Sequence, residues 1–578
     1  MTSLGHSPFV LLDDQSSGGR ALLFTAAAEV VETRDPEDVR ACIARLDGRH
    51  AAGFLAYEAG HALEPKLAPL IRRPSPDEPP LLWFGLFNAP PEEVDAAALL
   101  PSGAGAWAAP LCPGIARADY EQAVARILAH IHAGDIYQAN FTFASDVRFA
   151  GHPLALYAAL RARAAAPHGA IIYTGAHWIL SFSPELFFET DGSRIVARPM
   201  KGTAPRTADP RALSADPKQR AENLMIVDLL RNDLSRVSRP GTVKVPSLFE
   251  VETYPTLHQM ISTVTAELEP GAAMPSRLLG ALFPCGSITG APKIRAQQIL
   301  GTLESSPRGV YTGAIGRVAP GGEALFNVAI RTLVVADGGG VARLGLGSGI
   351  VADSEPADEW RECLAKGAFV TDPARSFDLA ETMRFDPEEG VAELDRHLAR
   401  LKSSADALGF VFDRHHARNE LQAATFRVPG PARVRLLLSP TGALAIEIGP
   451  LPPIPAEPVA VALAPRPVPG DDFRLAFKTS DRAFWDEARD PDTFETIFHD
   501  EAGFLTEGSF TSLFVERGGM LLTPPLARGL LPGILRQRLI EEGRAREADL
   551  VAADLVAGFL IGNSLRGLIR ATLAPAPR

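Results

Sequence analysis

The periodic text of the chain changes character at TDPARS (371–376), where a charged run with helical spacing (357–369) gives way to a strand-like opening, FDLAETMRF. A polar stretch carrying proline between two patterned segments reads as a connection rather than as the interior of an element. A chain of 578 residues also exceeds what one hydrophobic core organises. At least two bodies are therefore expected, divided near residues 371–377. Two further stretches, IRRPSPDEPP (71–80) and SGAGAWAAPLCPG (102–114), precede the helix-spaced ADYEQAVARILAHI and read as a loop-rich seam inside the first body. The expected segments are 1–114, 115–371 and 377–578.

With 46% hydrophobic and 22% charged residues the chain reads as globular, and the net charge of -12 argues against a nucleic-acid partner, which needs a clustered basic surface. No apolar run reaches the 18 residues of a spanning helix, and MTSLGHSPF lacks a charged region followed by an apolar stretch. A cytoplasmic protein without membrane association is the expectation. The four cysteines, Cys42, Cys112, Cys285 and Cys363, show no CxxC spacing and read as reduced structural residues.

Residues 217–237, PKQRAENLMIVDLLRNDLSRV, predict a helix in which Glu222, Ile226, Leu229 and Asp233 share a stripe. Residues 357–369 predict another, with Glu359, Glu362 and Lys366 on one face. Glu222 and Glu362, on different helices, are a natural carboxylate pair for Mg²⁺, a hard cation that prefers oxygen ligands; a solvated charged face is the alternative. Between them, LFPCGSITGAPKIRAQQIL and RLGLGSGIVADSEP offer glycine-rich backbone whose amides can bind carboxylates. The glycines at 345, 347 and 349 do not have the spacing of a dinucleotide loop. In the second body VRLLLSPTGALAIEI predicts a hairpin turning at Ser439 to Gly442. Lys478 falls at an expected strand-to-helix transition, and the helix opening at Leu531, Pro532 and Gly533 offers amides to a phosphate.

Seven collinear strings, MKGTAPR, AENLMIVDLLRNDLSRV, YPTLHQMISTV, GSITGAPKIRAQQIL, VYTGAIG, NVAIRTLV and GSGIVADSEPADEWRE, resemble the chorismate-utilising enzymes, the anthranilate, isochorismate and aminodeoxychorismate synthases. The resemblance is strong over 115–370 and weak over 1–114. It implies two large β-sheets flanked by helices, with Glu222 and Glu362 as magnesium ligands. It also implies that His258 and Thr289 line the substrate pocket, that Tyr311 and Arg331 contact chorismate carboxylates, and that Gly347 to Gly349 supply amides. Lys201, in PMKGT, matches the lysine of aminodeoxychorismate synthases rather than the alanine of anthranilate synthases. The resemblance makes it a nucleophile and makes Glu185 the acid that assists loss of the 4-hydroxyl. Asn223 stands where the family often has histidine. None of the four cysteines has the context of a glutaminase nucleophile, so a separate glutaminase is the expected source of ammonia. FVLLDDQ (9–15) resembles the part of the family that binds feedback tryptophan, with Leu11, Leu12, Asp13 and Asp14 at that string; a purely structural role is the alternative.

Residues 377–572 resemble the fold type IV pyridoxal phosphate enzymes, which include the branched-chain and D-amino acid aminotransferases and aminodeoxychorismate lyase. The resemblance implies a two-subdomain α/β unit, so that the whole chain is of the α+β class. By it Lys478 binds the cofactor covalently and shuttles protons, Glu507 pairs with the pyridine nitrogen, and Arg400, Gly533, Ile534 and Ser564 hold the phosphate. Two positions depart from the pattern: Ser512 stands for an asparagine and Leu535 for a threonine. Since the first body would produce the substrate of a lyase, the combined expectation is a bifunctional route from chorismate to 4-aminobenzoate. Its rivals are an anthranilate synthase fused to an aminotransferase, and a non-catalytic carboxy-terminal interaction module. Enzymes of this fold type usually dimerise, an arrangement that the fused first body could prevent.

Overall fold

The computed structural model describes residues 4, 7–15, 19–253, 257–371 and 376–575, the side chains of 203–205 and 257 apart. Four of the six residues of the expected break, 372–375, lie outside the described residues, as do 254–256 of the YPTLHQMISTV string.

The chain separates into two compact units. The first comprises Met1–Pro101, Pro110–Val147 and Tyr157–Thr371; the second comprises Ser102–Ala109, Arg148–Leu156 and Asp372–Arg578. This division is not a linear cut, because two stretches amino-terminal to the break fall in the second unit. Trp107 shows why. Its indole stacks edge-on against Phe377 at 4.8 Å, and its Nε1–H donates to the Leu408 carbonyl at 3.2 Å, which satisfies the one polar atom of a buried ring.

The first unit is built on two sheets. One runs, in spatial order, Gln138–Ala150, Val341–Ile350, Thr332–Ala336, His177–Ser183, His168–Tyr173 and Phe9–Asp13. The other runs Met200–Pro205, Leu257–Glu267, Arg194–Ala197, Leu186–Asp191, Glu323–Val328, Ala314–Val318, His50–Leu55, Leu82–Phe87 and Glu29–Thr33, antiparallel throughout. All six residues of Leu82–Phe87 are buried, as expected of a strand covered on both faces. Phe54, Trp83 and Ile315 of the second sheet pack with Ile172 and Ile179 of the first in one core. A separate core joins the second sheet to helices through Ile43, Phe84, Ile226, Leu230 and Leu278.

The helix Pro217–Ser235 starts where local chemistry demands. Asp216 accepts from the backbone amides of Lys218 and Gln219 at 2.8 and 3.0 Å, and Pro217 occupies the first turn. Ile226, Val227, Leu230 and Leu234 form its buried face. The carboxylates of its stripe have different fates: Glu222 stays partly accessible, whereas Asp233 is buried in an ion pair with Lys293 at 2.6 Å.

In the second unit a four-stranded sheet, Gly390–Val391, Leu379–Asp386, Ala432–Leu438 and Leu444–Pro450, carries the helix Leu394–Leu408. The hairpin turns at Ser439 to Gly442, where Ser439 N–H donates to the Ala443 carbonyl and Gly442 takes φ 93°. An eight-stranded sheet follows, in which Val459–Pro465 pairs in parallel with both Glu495–His499 and Gly567–Leu573. Lys478 does not sit at a strand-to-helix transition. It lies between the short helices Phe473–Ala476 and Ala483–Ala488, where its carbonyl accepts from Ala380 N–H and the next residue, Thr479, bridges to Leu379. Among the described residues no helix is long and apolar enough to cross a membrane.

Candidate active sites

Lys201 is placed by a β-bulge. Between the pairs Met200↔Ile261 and Thr203↔Gln259 its strand carries one residue more than its partner, and Gly202 absorbs the irregularity at φ 95°. Gln259 Nε2 donates to the Gly202 carbonyl at 2.8 Å and secures it. The lysine-glycine pair is thus a single device: the glycine permits the bend that aims the amine.

That amine converges on Gly349. A side chain there would meet Gln138 Nε2 at 2.9 Å and Lys201 Nζ at 3.4 Å, so only glycine leaves room for both. Burial pushes the Lys201 amine below its ordinary range, with Lys366 adding; the carboxylates of Glu185, Glu222 and Glu362 oppose the shift. Glu185 is 6% exposed and Ser287 Oγ donates to its Oε1 at 2.6 Å. Burial pushes the pKa of Glu185 above the usual carboxylate range against the pull of Ser287, Lys201 and Lys366. A lysine biased toward the neutral amine and a carboxyl biased toward the protonated acid therefore lie within electrostatic reach of one another.

Glu222 is held above the ordinary range by burial first, and by the charge of Glu362, against Lys201 and Lys218. Burial pushes Glu362 the same way, but Lys366, paired with it at 2.8 Å, brings it below, helped by Lys201 and Lys218. Lys366 also donates to the Gly347 carbonyl at 3.0 Å, tying this helix to the glycine strand. Asn223, fully buried, donates to the Lys201 carbonyl at 3.4 Å and accepts from Ser262 Oγ at 2.6 Å. The position where histidine was expected thus braces the strand of Lys201.

The remaining expected substrate residues each have a setting of their own. Both ring nitrogens of His258 are engaged, by Thr253 Oγ1 at 2.8 Å and the Arg206 carbonyl at 3.2 Å. The Thr289 hydroxyl is turned onto the carbonyls of Cys285 and Gly286. Tyr311 lies against Gly345, where its ring would occupy the place of a side chain, and lines a small cavity of about 60 Å³ with Arg308. Arg331 takes φ 50° and its carbonyl accepts from Phe182 N–H. Asp13, in the string compared with a tryptophan site, accepts from Tyr157 and twice from Arg161, a satisfied structural carboxylate.

Sequence reasoning missed Gln138. It is 2% exposed, its Oε1 is a buried acceptor with no hydrogen-bond partner among the described residues, and its carboxamide reaches the point on Gly349 that Lys201 reaches. A buried acceptor left unpaired costs free energy, which points to a ligand as its partner.

The second unit holds a cavity of about 350 Å³ whose wall includes Arg400, Lys478, Glu507, Gly533, Ile534 and Ser564. Burial, with Arg400 adding, lowers the Lys478 amine to about 7. Glu507, 7% exposed, is raised to about 8 by burial, although Leu531 N–H donates to it at 3.0 Å. Arg400 forms a fork onto Glu381 at 2.8 and 2.6 Å and donates its third arm to the Pro532 carbonyl at 2.9 Å. It is thereby fixed one residue before Gly533, the cap of the helix Ile534–Glu541, which has no side-chain cap of its own. A side chain at Gly533 would meet Ser512 Oγ at 2.6 Å, so the glycine keeps a hydroxyl and free amides together. Leu535, in place of a hydroxyl residue, is buried in an apolar cluster with Phe514 and Leu539.

Sequence reasoning also missed Glu495. Fully buried, it accepts from Ser509 N–H and Oγ, Phe510 N–H and Thr511 Oγ1, and so shapes the turn between Glu507 and Ser512.

Residues 8–372 match the family described as chorismate binding enzyme, and residues 378–574 match amino-transferase class IV. The chain is 41% identical over 293 residues to aminodeoxychorismate synthase component 1 of Klebsiella aerogenes, which covers 50% of this chain and 62% of that protein. It is 40% identical over 293 residues to anthranilate synthase component 1 of Streptomyces coelicolor, 49% of this chain and 56% of that one. The chain thus spans less than two thirds of the length of these curated relatives. The crystal structure of anthranilate synthase component I from Streptococcus pneumoniae TIGR4 covers 64% of this chain and 94% of its own at 23% identity and a TM-score of 0.50, a likeness of fold. With its first 372 residues matched almost end to end, the chain belongs to the chorismate binding enzyme family, and an amino-transferase class IV segment follows.

Proposed function

We propose that the chain makes 4-aminobenzoate from chorismate in two steps, residues 1–371 aminating chorismate to 4-amino-4-deoxychorismate and residues 377–578 removing pyruvate from that intermediate. The carrying observation is the opposed bias of Lys201 and Glu185 in one buried group. The Lys201 nitrogen supplies the electron pair that bonds to the ring as the 4-hydroxyl departs, and Glu185 supplies the proton with which it leaves as water. Ammonia then bonds at the 4-position and the lysine nitrogen leaves with its original electron pair. Ammonia comes from a separate glutaminase, in keeping with the component 1 name of the relatives.

Mg²⁺ suits the donor set of Glu222 and Glu362, two hard carboxylates on different helices that leave further positions to water and substrate oxygens. It would neutralise a chorismate carboxylate, and Arg331 and Tyr311 are assigned to the other. His258, Thr289, Gly347 and Gly349 are assigned to the pocket wall.

The second cavity fits pyridoxal phosphate: a near-neutral lysine, a carboxyl, and a helix opening whose amides face an arginine-bearing wall. Bound there, the cofactor supplies a ring that draws electrons from the substrate carbon. Lys478 would hold it and carry the proton to the leaving enolpyruvyl group. Burial lowers its amine toward neutrality, which suits both directions of transfer. Glu507 partners the ring nitrogen, and Arg400, Gly533, Ile534 and Ser564 receive the phosphate.

Paired variants test the division of labour. Lys201→Ala should abolish consumption of chorismate while supplied aminodeoxychorismate still yields 4-aminobenzoate. Lys478→Ala should consume chorismate and accumulate the aminated intermediate. A Lys201→Ala protein that aminates chorismate at the parent rate contradicts the assignment of the nucleophile.

A further inference from the structure

We infer that Arg308, a residue remote in sequence from every assigned catalytic group, is the positioning residue that assembles the chorismate pocket. The inference rests on the reading of the first unit as a chorismate site. The Arg308 side chain is 1% exposed, and each of its arms ends on a different segment. Nη1 donates to the Ile288 carbonyl at 2.9 Å and Nη2 to the Asn140 carbonyl at 2.7 Å. Nε and Nη2 also grip Glu304 at 2.9 and 2.7 Å, and Glu304 in turn accepts from Thr142 N–H and Oγ1, both at 2.9 Å. The face of the guanidinium lies 4.3 Å over the Tyr57 ring, and its own backbone N–H donates to Glu58 at 2.7 Å.

The segments gathered in this way are those that carry candidate pocket residues. Ile288 precedes Thr289, Asn140 follows Gln138 by two residues on one strand, and Thr312 follows Tyr311. The hold on Thr312 has a separate signature of strain. Thr312 is a β-branched residue at φ 59°, a left-handed conformation its side chain disfavours. It is kept there by Arg308 Nη1 on its hydroxyl at 3.4 Å, by its own N–H on the Ala329 carbonyl at 2.8 Å, and by that hydroxyl bonding to the Tyr311 carbonyl at 2.6 Å. Backbone strain of this kind persists only where surrounding contacts over-determine it, and it concentrates beside functional groups. Lysine in place of Arg308 keeps the charge but has three donors on a point, which cannot span Glu304 and two carbonyls in one plane.

The test is Arg308→Lys in the full chain. It should fold with a lowered melting transition, and its 4-aminobenzoate formation from supplied aminodeoxychorismate should be unchanged. The KM for chorismate should rise at least tenfold with kcat within threefold. Adding Thr312→Gly, which adopts the left-handed turn without strain, should recover most of the KM. A folded Arg308→Lys protein whose KM for chorismate stays within twofold of the parent overturns the inference. If Arg308→Lys does not fold, Thr312→Val in its place must raise KM by at least threefold, and an unchanged KM overturns the inference. A parent protein that binds no chorismate in calorimetry refutes the underlying reading and the inference with it.

Discussion

Replacing Lys478 by methionine in the cofactor-free protein should change the pH dependence of stability in a defined direction. The unfolded amine titrates at its ordinary 10.5 and the folded amine at about 7. Between those values the unfolded chain binds a proton that the folded chain does not. The contribution of Lys478 to stability therefore rises with pH across this window, and below about pH 7 its full penalty is present. At about 1.4 kcal/mol per pH unit the window corresponds to an upper figure of about 5 kcal/mol. Lys478 retains partial access to the cavity, and allowing for that hydration about 2–3 kcal/mol is the working expectation. Glu507 contributes the opposite limb. Its folded value of about 8 lies above the ordinary 4.5, so its stabilisation is complete below the lower value and is lost as pH rises through about 8. Urea unfolding of the parent, Lys478→Met and Glu507→Gln proteins at half-unit intervals from pH 5 to 10 reads both. Lys478→Met should abolish the gain between about 7 and 10, and Glu507→Gln the loss between about 5 and 8. Parallel curves for parent and Lys478→Met would refute the claim that the amine is desolvated in the fold.

Glu185→Gln should slow the first reaction by roughly a hundred- to ten-thousandfold, the usual worth of a positioned acid, with the second reaction untouched in a coupled assay. Gln138→Leu replaces an unpartnered buried acceptor by an apolar group, so thermal denaturation should show stability unchanged or raised by about 1–2 kcal/mol, while chorismate turnover falls. Arg400→Met leaves Glu381 buried without its fork; it should cost about 3–5 kcal/mol in urea unfolding and weaken pyridoxal phosphate binding measured by fluorescence quenching. A Gly349→Ala protein should fold with a loss of about 1–3 kcal/mol and lose the first activity, because its methyl group enters the space between Gln138 and Lys201.

What was readable in the sequence was local. The helix Pro217–Ser235 follows from Asp216, Pro217 and a buried stripe within one segment, and the turn at Ser439 to Gly442 from its own residues. Lys201 by itself was an ordinary charge until neighbouring strings resembled a family. What escaped has its partners far along the chain. Arg308 reaches Asn140 across 168 residues and Gln138 meets Gly349, so local spacing does not reveal either role. Trp107 likewise reads as part of a seam in the first body, but its buried ring belongs with Phe377 and Phe410 in the second unit. The Lys478 setting was misread because the strand expected there is a single bridge pair between short helices.

The most direct measurement of the central claim is the identity of the aromatic product when the parent protein is incubated with chorismate, ammonium, Mg²⁺ and pyridoxal phosphate and the mixture is resolved by chromatography and mass spectrometry. The account predicts 4-aminobenzoate together with pyruvate. Anthranilate in its place would contradict the role of Lys201, and accumulation of aminodeoxychorismate without 4-aminobenzoate would contradict the assignment of the second unit.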